Sequence, residues 1–302
     1  MALTMQHEFS PGFTKPGPAF EPRCAQPLSA ADEQDVLEFL SARPIHTVFM
    51  ASLIRDNGIV SPFNRGSFFG CRNNEGTIEG VALLGHATLI ETENPECIKA
   101  FAELAKSYSP VHLIRGEKAR VESFWSNYAD GNRTPRLLCG EHLLELKTIP
   151  PLIDPVPGLR QATIDDLEVV VNVNASLVRA ESGTDPLIRD PQGFRERSAR
   201  RIRNGRVWVW IEESRLLYKT DIIAETPQAI YLEGVYVDPE YRTKGYGLRC
   251  ISQLAALLLT RTQTICLTVN ETAVGALEFY KRAGYELVSR YDTIYLDNSL
   301  EN

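Results

Sequence analysis

Metal-binding cysteine motifs and long apolar runs are both missing from this sequence of 302 residues. Its six cysteines include no C-x-x-C pair, so the usual spacing of a zinc site is absent. A disulfide framework is not expected in a chain of this length either, and we therefore predict reduced thiols. The longest clean apolar run, 254–259, is too short to span a bilayer, so no membrane-spanning helix is predicted.

The sequence also has no excess of positive charge. Its formal net charge of −7 argues against a general binder of nucleic acid. Residues 1–27 have prolines and charges where a signal peptide needs an apolar segment, so we predict a cytoplasmic protein without a membrane partner. The five histidines all lie in the first half and share no ligand spacing, so no metal is expected. Since 43% of the residues are hydrophobic, a packed globular protein is predicted.

Two proline-rich segments divide the chain. Residues 1–27 contain Pro and Gly without periodicity and are predicted to form an extended N-terminal arm. Residues 150–158 are rich in proline, which disfavours helix in the preceding residue, and they are predicted to be a linker. This division gives a first unit of 28–149 and a second unit of 159–302.

Hydrophobic periodicity predicts mixed helix and strand in both units. In the second unit we predict strands at 159–162, 206–212, 215–225, 229–237 and 264–270, and one or two further strands at the end. We also predict four helices in this unit: one begins at 163, one covers 191–203, one begins at 248, and the last ends at a C-cap at 284. The first unit repeats this order more faintly, with helices near 30–41, 45–56, 95–107 and 119–128 and strands near 67–72, 78–90, 111–116 and 136–147. We therefore predict two similar α+β units in tandem.

The segment VDPEYRTKGYG joins a predicted strand to a predicted helix. Its R-x-x-G-x-G pattern (Arg242, Gly245, Gly247) opens backbone N–H groups at a helix N-terminus, where a phosphate or pyrophosphate is well placed. A dinucleotide fingerprint would need a third glycine where Cys250 stands. A Walker loop would need its lysine after the glycine, whereas Lys244 precedes Gly245. Coenzyme A is the third phosphate-bearing ligand to consider.

Two sequence blocks resemble the GNAT superfamily of acyl-CoA N-acyltransferases. YLEGVYVDPEYRTKGYG is similar to the central strand and pyrophosphate loop of that family, and LTVNETAVGALEFYKRAGYELV to its next strand, helix and strand. The resemblance covers about 159–296. It implies α+β (α/β layered) GNAT-like units, each with a mixed, mostly antiparallel central sheet flanked by helices. It also implies acetyl-CoA or another acyl-CoA as co-substrate and a small-molecule or peptide amine as acceptor.

The resemblance also implies which residues contact the coenzyme. The residues concerned are Val235, Tyr236, Val237, Arg242, Thr243, Lys244, Gly245, Tyr246, Gly247 and Asn270. The strand residues would pair through their backbone with the pantetheine arm, and the N–H groups of Thr243 to Gly247 would surround the pyrophosphate. One departure is Ala273, where many family members have an asparagine that contacts the cofactor.

Transfer of an acyl group to an amine needs a base, donors for the developing negative charge, and an acid for the leaving thiolate. Glu233 matches a position where family members often have the general base, although it also fits a strand-edge carboxylate without a role. Gly234 indicates a β-bulge that would expose the N–H of Val235 or Tyr236. Tyr280 matches the tyrosine that can protonate the coenzyme sulfur, although it also fits an aromatic residue packed inside a helix. Direct attack in a ternary complex is expected.

A basic run, RERSARRIRNGR, precedes the strand at 206–212. Its arginines spread around more than one helix face, which is typical of a solvated helix. The alternative is a positive wall for an acidic acceptor or for the 3′-phosphate of the coenzyme. Cys250 and Cys266 are predicted to be packing residues rather than nucleophiles.

The first unit has IETENPE where the second has its glycine-rich loop. Acidic residues there would repel a pyrophosphate, so we predict that the first unit is degenerate and that one active site remains. Two rival functions stay open: an acyl-CoA-binding sensor that transfers nothing, and a tandem transferase like mycothiol synthase. The pyrophosphate loop argues against aminoacyl-tRNA as the donor.

Overall fold

A computed structural model describes residues 25–107, 111–131, 133–148 and 154–296 of the chain. The predictions for 1–24 and for residues 150–153 of the proline-rich linker lie outside these residues. Within the described ranges, no helix combines the length and the apolar character needed to cross a membrane.

The first half contains six strands and four α-helices among its described residues. The strands are β1 (Gln26–Pro27), β2 (Gly66–Arg72), β3 (Ile78–Gly85), β4 (Ala87–Thr92), β5 (Leu113–Glu117) and β6 (Leu137–Leu146). The helices are α1 (Glu33–Ser41), α2 (Pro44–Asn57), α3 (Pro95–Ser107) and α4 (Lys118–Ala129). The segment predicted as one strand over 78–90 is two strands, because the chain turns at His86, whose N–H donates to the carbonyl of Arg65.

The second half, as far as it is described, repeats this order. Its strands are β7 (Leu159–Gln161), β8 (Val207–Glu212), β9 (Arg215–Glu225), β10 (Ala229–Val237), β11 (Thr264–Asn270) and β12 (Glu286–Tyr295). Its helices are α5 (Leu167–Ser182), α6 (Pro186–Arg189), α7 (Pro191–Arg203), α8 (Tyr246–Leu258) and α9 (Val274–Arg282). The short helix α6 was not predicted, since four residues are too few to show a helical period.

Local sequence explains how several of these helices begin and end. Thr163 and Asp166 bond reciprocally at the turn that leads into α5, and α5 ends at Gly183, which has φ of +71°. Reciprocal capping satisfies N–H groups that no helical carbonyl can reach. A glycine in the left-handed region ends the helix without a Cβ penalty. Thr163 was the predicted start of this helix, and the structure places a 3-10 turn over Ile164–Asp166 before α5 itself begins at Leu167.

The described strands all join one sheet in the order β1-β2-β3-β4-β5-β12-β6-β11-β10-β9-β8-β7. Two strands are therefore exchanged between the halves. The C-terminal strand β12 pairs with β5 of the first half, and β6 of the first half pairs with β11 of the second, all antiparallel. β12 and β6 also pair with each other over most of their length. Each half thus has a mixed, mostly antiparallel sheet that contains a strand from the other half.

The hydrophobic cores follow this exchange. Leu144 and Leu146 of β6 are buried in the core of the second half, whereas Ile294 of β12 is buried in the core of the first half. A further cluster joins Ile45 and Val48 of α2 to apolar residues of the second-half sheet. Burial of apolar surface stabilises a fold in proportion to area, so each half depends on side chains from the other.

Candidate active site

The central strands of the second half separate at their carboxyl ends. β10 and β11 are parallel, and their registered pairs run from Ala229↔Thr264 to Tyr231↔Cys266. Both strands continue beyond this point, to Val237 and Asn270. The far part of β10 still pairs with β9 on its other side. The strand residues predicted to face the coenzyme therefore lie at a gap in the sheet, where an extended ligand can pair with the edge of β10.

A β-bulge lies in β10 at the start of the open part of that strand. The register with β9 shifts between Glu233 and Tyr236, and Gly234 has φ of +61°. The ammonium Nζ of Lys219 donates to the carbonyl oxygen of Gly234 at 3.1 Å. No peptide bond is cis in the part of the chain that the structure describes, so the N–H of Val235 points away from that carbonyl and from Lys219.

The predicted pyrophosphate loop connects β10 to α8. Asp238 caps a short 3-10 turn and forms two hydrogen bonds of 2.7 Å with Arg215, which anchors the beginning of the loop. Thr243 has φ of +62° and Gly245 has φ of +84°. The left-handed conformation is costly for a β-branched residue, so Thr243 holds strained backbone of the kind that is common at ligand-binding loops.

The N-terminus of α8 is open. Gly245 is its N-cap residue and supplies no side-chain hydrogen bond. The N–H groups of Tyr246, Gly247 and Leu248 are in the first turn, where no helical carbonyl can accept from them. A Cβ on Gly247 would lie 2.8 Å from Cγ2 of Val237, so a side chain there would push the helix away from the strand. The loop therefore presents backbone donors and partial positive charge next to the gap.

Two cations flank this loop. Arg242 donates through Nε to the carbonyl of Val237 at 3.0 Å, and Nζ of Lys244 lies 5.4 Å from the centre of the Tyr241 ring. Both side chains are exposed. The ring of Tyr246 packs at 5.2 Å from that of Trp210, which fixes the first turn of α8 against β8.

Asn270 ends β11 on the other side of the gap. Its Oδ1 accepts from the N–H and the hydroxyl of Thr272, at 2.9 and 2.6 Å. The carbonyl of its side chain is therefore committed to the turn before α9, and its amide NH₂ group is left for a ligand. Ala273 follows as the N-cap position of α9 and supplies no polar contact.

Tyr280 projects from α9 and is 8% exposed. Burial raises the pKa of its hydroxyl well above the usual range, and the negative charge of Glu181 adds to this effect. The hydroxyl is therefore a proton donor at neutral pH. Its ring packs edge-on against that of Tyr285 at 5.5 Å, within the second-half core. The structure thus places Tyr280 both in the core and within the electrostatic reach of a cleft carboxylate.

A cleft of about 720 Å³ lies between the two halves. β4, β5 and the end of β12 form one wall, and α5, α6, α7 and the bulge of β10 form the other. Glu233 and Gly234 both line it. A volume of this size accommodates a small molecule or the end of a peptide. The cleft therefore reaches the bulge of β10, where the base and the oxyanion donor are predicted.

Glu181 is a cleft carboxylate that the sequence did not single out. It lies in the last turn of α5, open to water in the cleft but surrounded by protein on several sides. Burial raises the pKa of this carboxyl to about 7, with the negative charges of Glu233 and Glu141 adding to the rise and Arg115 opposing it. No short sequence motif marks this position, because Glu181 meets Glu233 only when α5 packs beside β10.

Arg115 connects the halves beneath this cleft. It lies on β5 of the first half, donates to the hydroxyl of Tyr231 at 2.8 Å, and forms a 3.2 Å ion pair with Glu141. Its guanidinium also lies 5.7 Å from the centre of the Phe49 ring. A half-buried arginine with a carboxylate, a hydroxyl and an aromatic ring around it is held rigidly. Sequence reasoning missed it, since its partners come from distant strands.

The basic run, which starts in α7 and ends at Arg206, divides between the cleft and the surface. Arg197 and Arg201 line the cleft, and Arg201 forms a 3.2 Å ion pair with buried Asp221. Arg200 instead donates to Asn57, and Arg206 pairs with Asp56. One part of the run therefore holds the halves together and another part faces the cleft.

The equivalent gap in the first half is closed by charged side chains. β4 and β5 pair only from Ala87↔Leu113 to Thr88↔Ile114, and beyond this Arg43 bridges them, at 3.0 Å from Glu91 and 2.6 Å from Glu117. About 30 Å³ remains there. The N-terminus of α3 is capped by Oδ1 of Asn94, which accepts from the N–H of Glu96 at 3.0 Å. The first half therefore has a capped helix and acidic side chains where the second has an open helix and cations.

Cysteines and histidines were predicted to have no catalytic or metal-binding role. Cys250 and Cys266 are fully buried, and burial raises the pKa of the Cys250 thiol to about 12. Packing is therefore the role that the structure supports for both. Over the described residues, no group of three His, Cys, Asp or Glu side chains is arranged to hold a metal ion. His86 and His112, 26 positions apart in sequence, lie with ring centres 4.6 Å apart.

The second half thus combines a gap between two parallel strands, an open helix N-terminus and an adjoining cleft. Residues 203–287 match the family model described as acetyltransferase (GNAT) domain. This range contains the open loop, Glu233 and Tyr280. Residues 203–287 therefore match a GNAT domain, and this match supports an acyltransferase. No curated protein sequence matches the chain.

Solved structures with similar folds extend over both halves. A protein from Drosophila superposes with a TM-score of 0.68 at 12% identity, covering 91% of this chain and 99% of that one. A GNAT-family acetyltransferase from Colwellia psychrerythraea gives 0.54 at 13%, covering 90% and 99%. A tandem GNAT protein from the clavulanic acid biosynthesis pathway gives 0.54 at 14%, covering 91% and 99%. At these identities the likeness concerns the fold alone, and it extends over both halves.

Proposed function

We propose that the chain is an acetyl-CoA-dependent N-acetyltransferase that acts on a primary amine in a ternary complex. The observation that carries this proposal is the separation of β10 from β11 after Tyr231↔Cys266, directly before the open N-terminus of α8. A gap for the pantetheine arm and donors for the pyrophosphate thus lie on consecutive parts of the chain. The cytoplasmic location stays a prediction.

The residues present fit an acyl-CoA co-substrate. Val235, Tyr236 and Val237 offer the backbone edge of β10 to the pantetheine arm, and the amides from Thr243 to Gly247 offer donors to the pyrophosphate. Arg242, Lys244, Tyr246 and Asn270 surround the same space. When bound, acyl-CoA supplies an activated acyl group. One departure persists: Ala273 provides no polar contact, so the amide NH₂ of Asn270 is the polar side-chain donor on that side.

The amine must lose a proton before it attacks. We propose Glu233 as the proton acceptor, either directly or through water, because it is half-buried on the cleft wall next to the bulge. Glu181 shares the cleft, and its raised pKa makes it a second carboxyl that can exchange a proton near neutral pH. The N–H of Val235 would donate to the acyl oxygen as negative charge develops there, since Lys219 turns the adjacent carbonyl the other way.

The leaving thiolate needs a proton. We propose Tyr280 as its donor, because the hydroxyl stays protonated at neutral pH and the adjacent Phe279 of α9 packs beside Gly247 of the loop. The first half would contribute the opposite wall of the cleft and no second active site, since its gap is bridged by Arg43 and its helix α3 is capped. The division of the chain at 150–158 into a degenerate and a catalytic unit is part of this proposal.

A sensor that binds acyl-CoA without transfer is the alternative from another class. The cleft carboxylates favour the enzyme, because a sensor needs no proton acceptor beside the gap. Two measurements on the full chain separate the two functions: calorimetric titration with acetyl-CoA, and release of free thiol from acetyl-CoA with a panel of amines, amino acids and peptides. Binding together with amine-dependent thiol release supports the enzyme. Binding without release on any amine supports the sensor, and no binding contradicts both.

A further inference from the structure

Three arginines from separate elements line one corner of the cleft. Arg65 ends the turn before β2, Arg189 ends α6, and Arg197 lies in α7. Burial lowers the pKa of Arg65, and the positive charges of Arg197 and Arg189 lower it further. Like charges that weaken each other in this way are close in space. The fold therefore concentrates positive charge where the two halves meet.

The negative charge in this corner is too small to balance the arginines. Asp190 lies 2.9 Å from Arg197 and also accepts from the N–H of Gly193 at the start of α7. Among the residues that the structure describes, neither Arg65 nor Arg189 forms an ion pair with a carboxylate. Three guanidinium groups and one carboxylate leave a net charge of about +2 in the corner.

Two neighbouring imidazoles, those of His86 and His112, form part of the wall of this corner. Nη2 of Arg189 lies 3.2 Å from Nδ1 of His112. Because a guanidinium has only donors, Nδ1 accepts this hydrogen bond and carries no proton. Burial lowers the pKa of His86 to about 3, with Arg65 the next cause, so this ring is neutral as well. Both rings form neutral walls beside the arginines.

We propose that Arg65, Arg189 and Arg197 bind an anionic group of the acceptor, a carboxylate or a phosphate. The acceptor is then an amine that carries an acidic group, with the amine at Glu233 and the acidic group in the arginine corner of the same cleft. Guanidinium groups bind both kinds of oxyanion through paired N–H donors. This inference rests on the proposed function for the amine end, whereas the anion site itself does not.

The 3′-phosphate of the coenzyme is the competing anion. The loop at Gly245 has its own exposed cations, Arg242 and Lys244, and neither of them lines the cleft. Arg65 and Arg189, in contrast, line the cleft and lie outside the loop. Charge at the loop is therefore available for the coenzyme without the arginine corner.

The anion site is tested first without acyl-CoA. Glutarate and inorganic phosphate are titrated into the full chain by calorimetry at fixed ionic strength, for the wild type, Arg65→Gln, Arg189→Gln and the control Arg203→Gln. Arg203 is exposed on α7 and does not line the cleft. We expect Arg65→Gln and Arg189→Gln to weaken anion binding roughly 10- to 100-fold and the control to leave it unchanged. Equal binding by all four proteins would overturn the proposal, and the tighter anion identifies the preferred group.

The acceptor is tested next with matched amines. Thiol release from acetyl-CoA is compared for β-alanine and β-alaninamide, for 6-aminohexanoate and its amide, and for O-phosphoethanolamine and ethanolamine. We expect the acidic member of at least one pair to have the higher kcat/KM, and Arg65→Gln to raise its KM while kcat changes less. Equal use of both members of every pair overturns the inference while the proposed function stands. If none of the amines gives thiol release, the proposed function is contradicted. The calorimetric result is unaffected by that outcome.

A last arm addresses the coenzyme directly. Affinities for coenzyme A and 3′-dephospho-coenzyme A are compared in the wild type and in Arg65→Gln. We expect the loss of affinity on removal of the 3′-phosphate to be the same in both proteins. If Arg65→Gln abolishes that difference, the corner binds the coenzyme phosphate and the acceptor proposal is wrong.

Discussion

The ammonium group of Lys219 lies 3.1 Å from the carbonyl oxygen of Gly234, at the bulge of β10. Lys219 is fully buried, and its second partner is Asp221, at 2.8 Å. Burial lowers the pKa of Lys219, but the negative charge of Asp221 opposes this effect. A buried charge in the second-half sheet therefore fixes the orientation of one peptide group beside the gap.

Replacement of Lys219 by Met should destabilise the fold. Asp221 would keep Arg201 at 3.2 Å and Asn174 at 3.3 Å but would lose its nearest cation. Loss of one partner of a buried ion pair typically costs 3–5 kcal/mol, and with Arg201 retained we expect about 3 kcal/mol in the free energy of unfolding. Urea denaturation followed by far-UV circular dichroism measures it.

Lys281→Met is the matched control, since Lys281 is exposed in the last turn of α9. We expect it to change the free energy of unfolding by less than about 0.5 kcal/mol. If Lys219→Met is as stable as this control, the buried ion pair does not stabilise the fold. Thiol release by Lys219→Met should also fall, because the peptide between Gly234 and Val235 becomes free to turn.

Gly245→Glu should abolish acetyl-CoA binding. The position has φ of +84°, and a Cβ there would meet no other atom within 4 Å, so a carboxylate would stand among the loop amides and compete with the pyrophosphate. We expect an affinity loss of at least roughly 100-fold, since the variant adds negative charge and removes charge-assisted hydrogen bonds. Calorimetric titration with acetyl-CoA checks this.

Gly76→Glu controls for the strain of the substitution. Gly76 has φ of +85° and equally open surroundings, but it lies in the turn before β3, far along the sheet from the loop. Both variants introduce the same side chain at a similar backbone conformation. Equal acetyl-CoA affinity in the two variants would show that the loop at Gly245 is not the coenzyme site.

The pH dependence of turnover should report Glu181. Burial raises the pKa of this carboxyl to about 7, and the charge of Glu233 adds to the rise. Below this pH Glu181 holds a proton, so kcat/KM should increase as the pH rises through about 7 and level off above it. Profiles of kcat/KM against pH measure this rising limb. The same amine is used throughout, because its own titration is then common to all variants.

Two variants distinguish the contribution of Glu181 to these profiles from that of Glu233. Glu181→Gln should remove the limb near pH 7, whereas Glu233→Gln should move it to lower pH, because a negative charge that raises the pKa of Glu181 is gone. Glu233→Gln should also lower kcat by roughly 10²- to 10⁴-fold, the usual contribution of a general base. A profile that is identical in all three proteins would contradict both roles.

Tyr280→Phe should reduce kcat with little change in stability. The hydroxyl makes no hydrogen bond to another described residue, so its removal leaves no partner unsatisfied. As a general acid it should contribute at least roughly 100-fold to kcat, while KM for the amine stays similar. Steady-state thiol release measures both constants.

Tyr285→Phe is the neighbouring control. Its hydroxyl is buried without a hydrogen-bond partner among the described residues, and its ring packs against that of Tyr280. We expect unchanged kcat and equal or greater stability for this variant. If both variants lower kcat equally, packing of the aromatic pair rather than proton donation explains the loss.

Local signals in the sequence predicted most elements and the position of the glycine-containing loop between β10 and α8. α3, α7, β10 and β11 have the predicted bounds, because periodicity, capping residues and turn glycines act over short distances. The R-x-x-G-x-G segment likewise lies between a strand and an open helix. Their physical causes are backbone sterics and hydrogen bonding within a few residues, which a sequence contains directly.

Long-range pairing was decided only in the tertiary structure. The exchange of β6 and β12 between the halves depends on which apolar faces meet, so nothing near Leu144 or Ile294 in the sequence specifies it. For the same reason Glu181 meets Glu233, and Arg65 meets Arg189, only after distant elements pack together. The chemistry of the loop was therefore present in the sequence, whereas the cleft, its raised carboxyl pKa and its arginine corner result from packing.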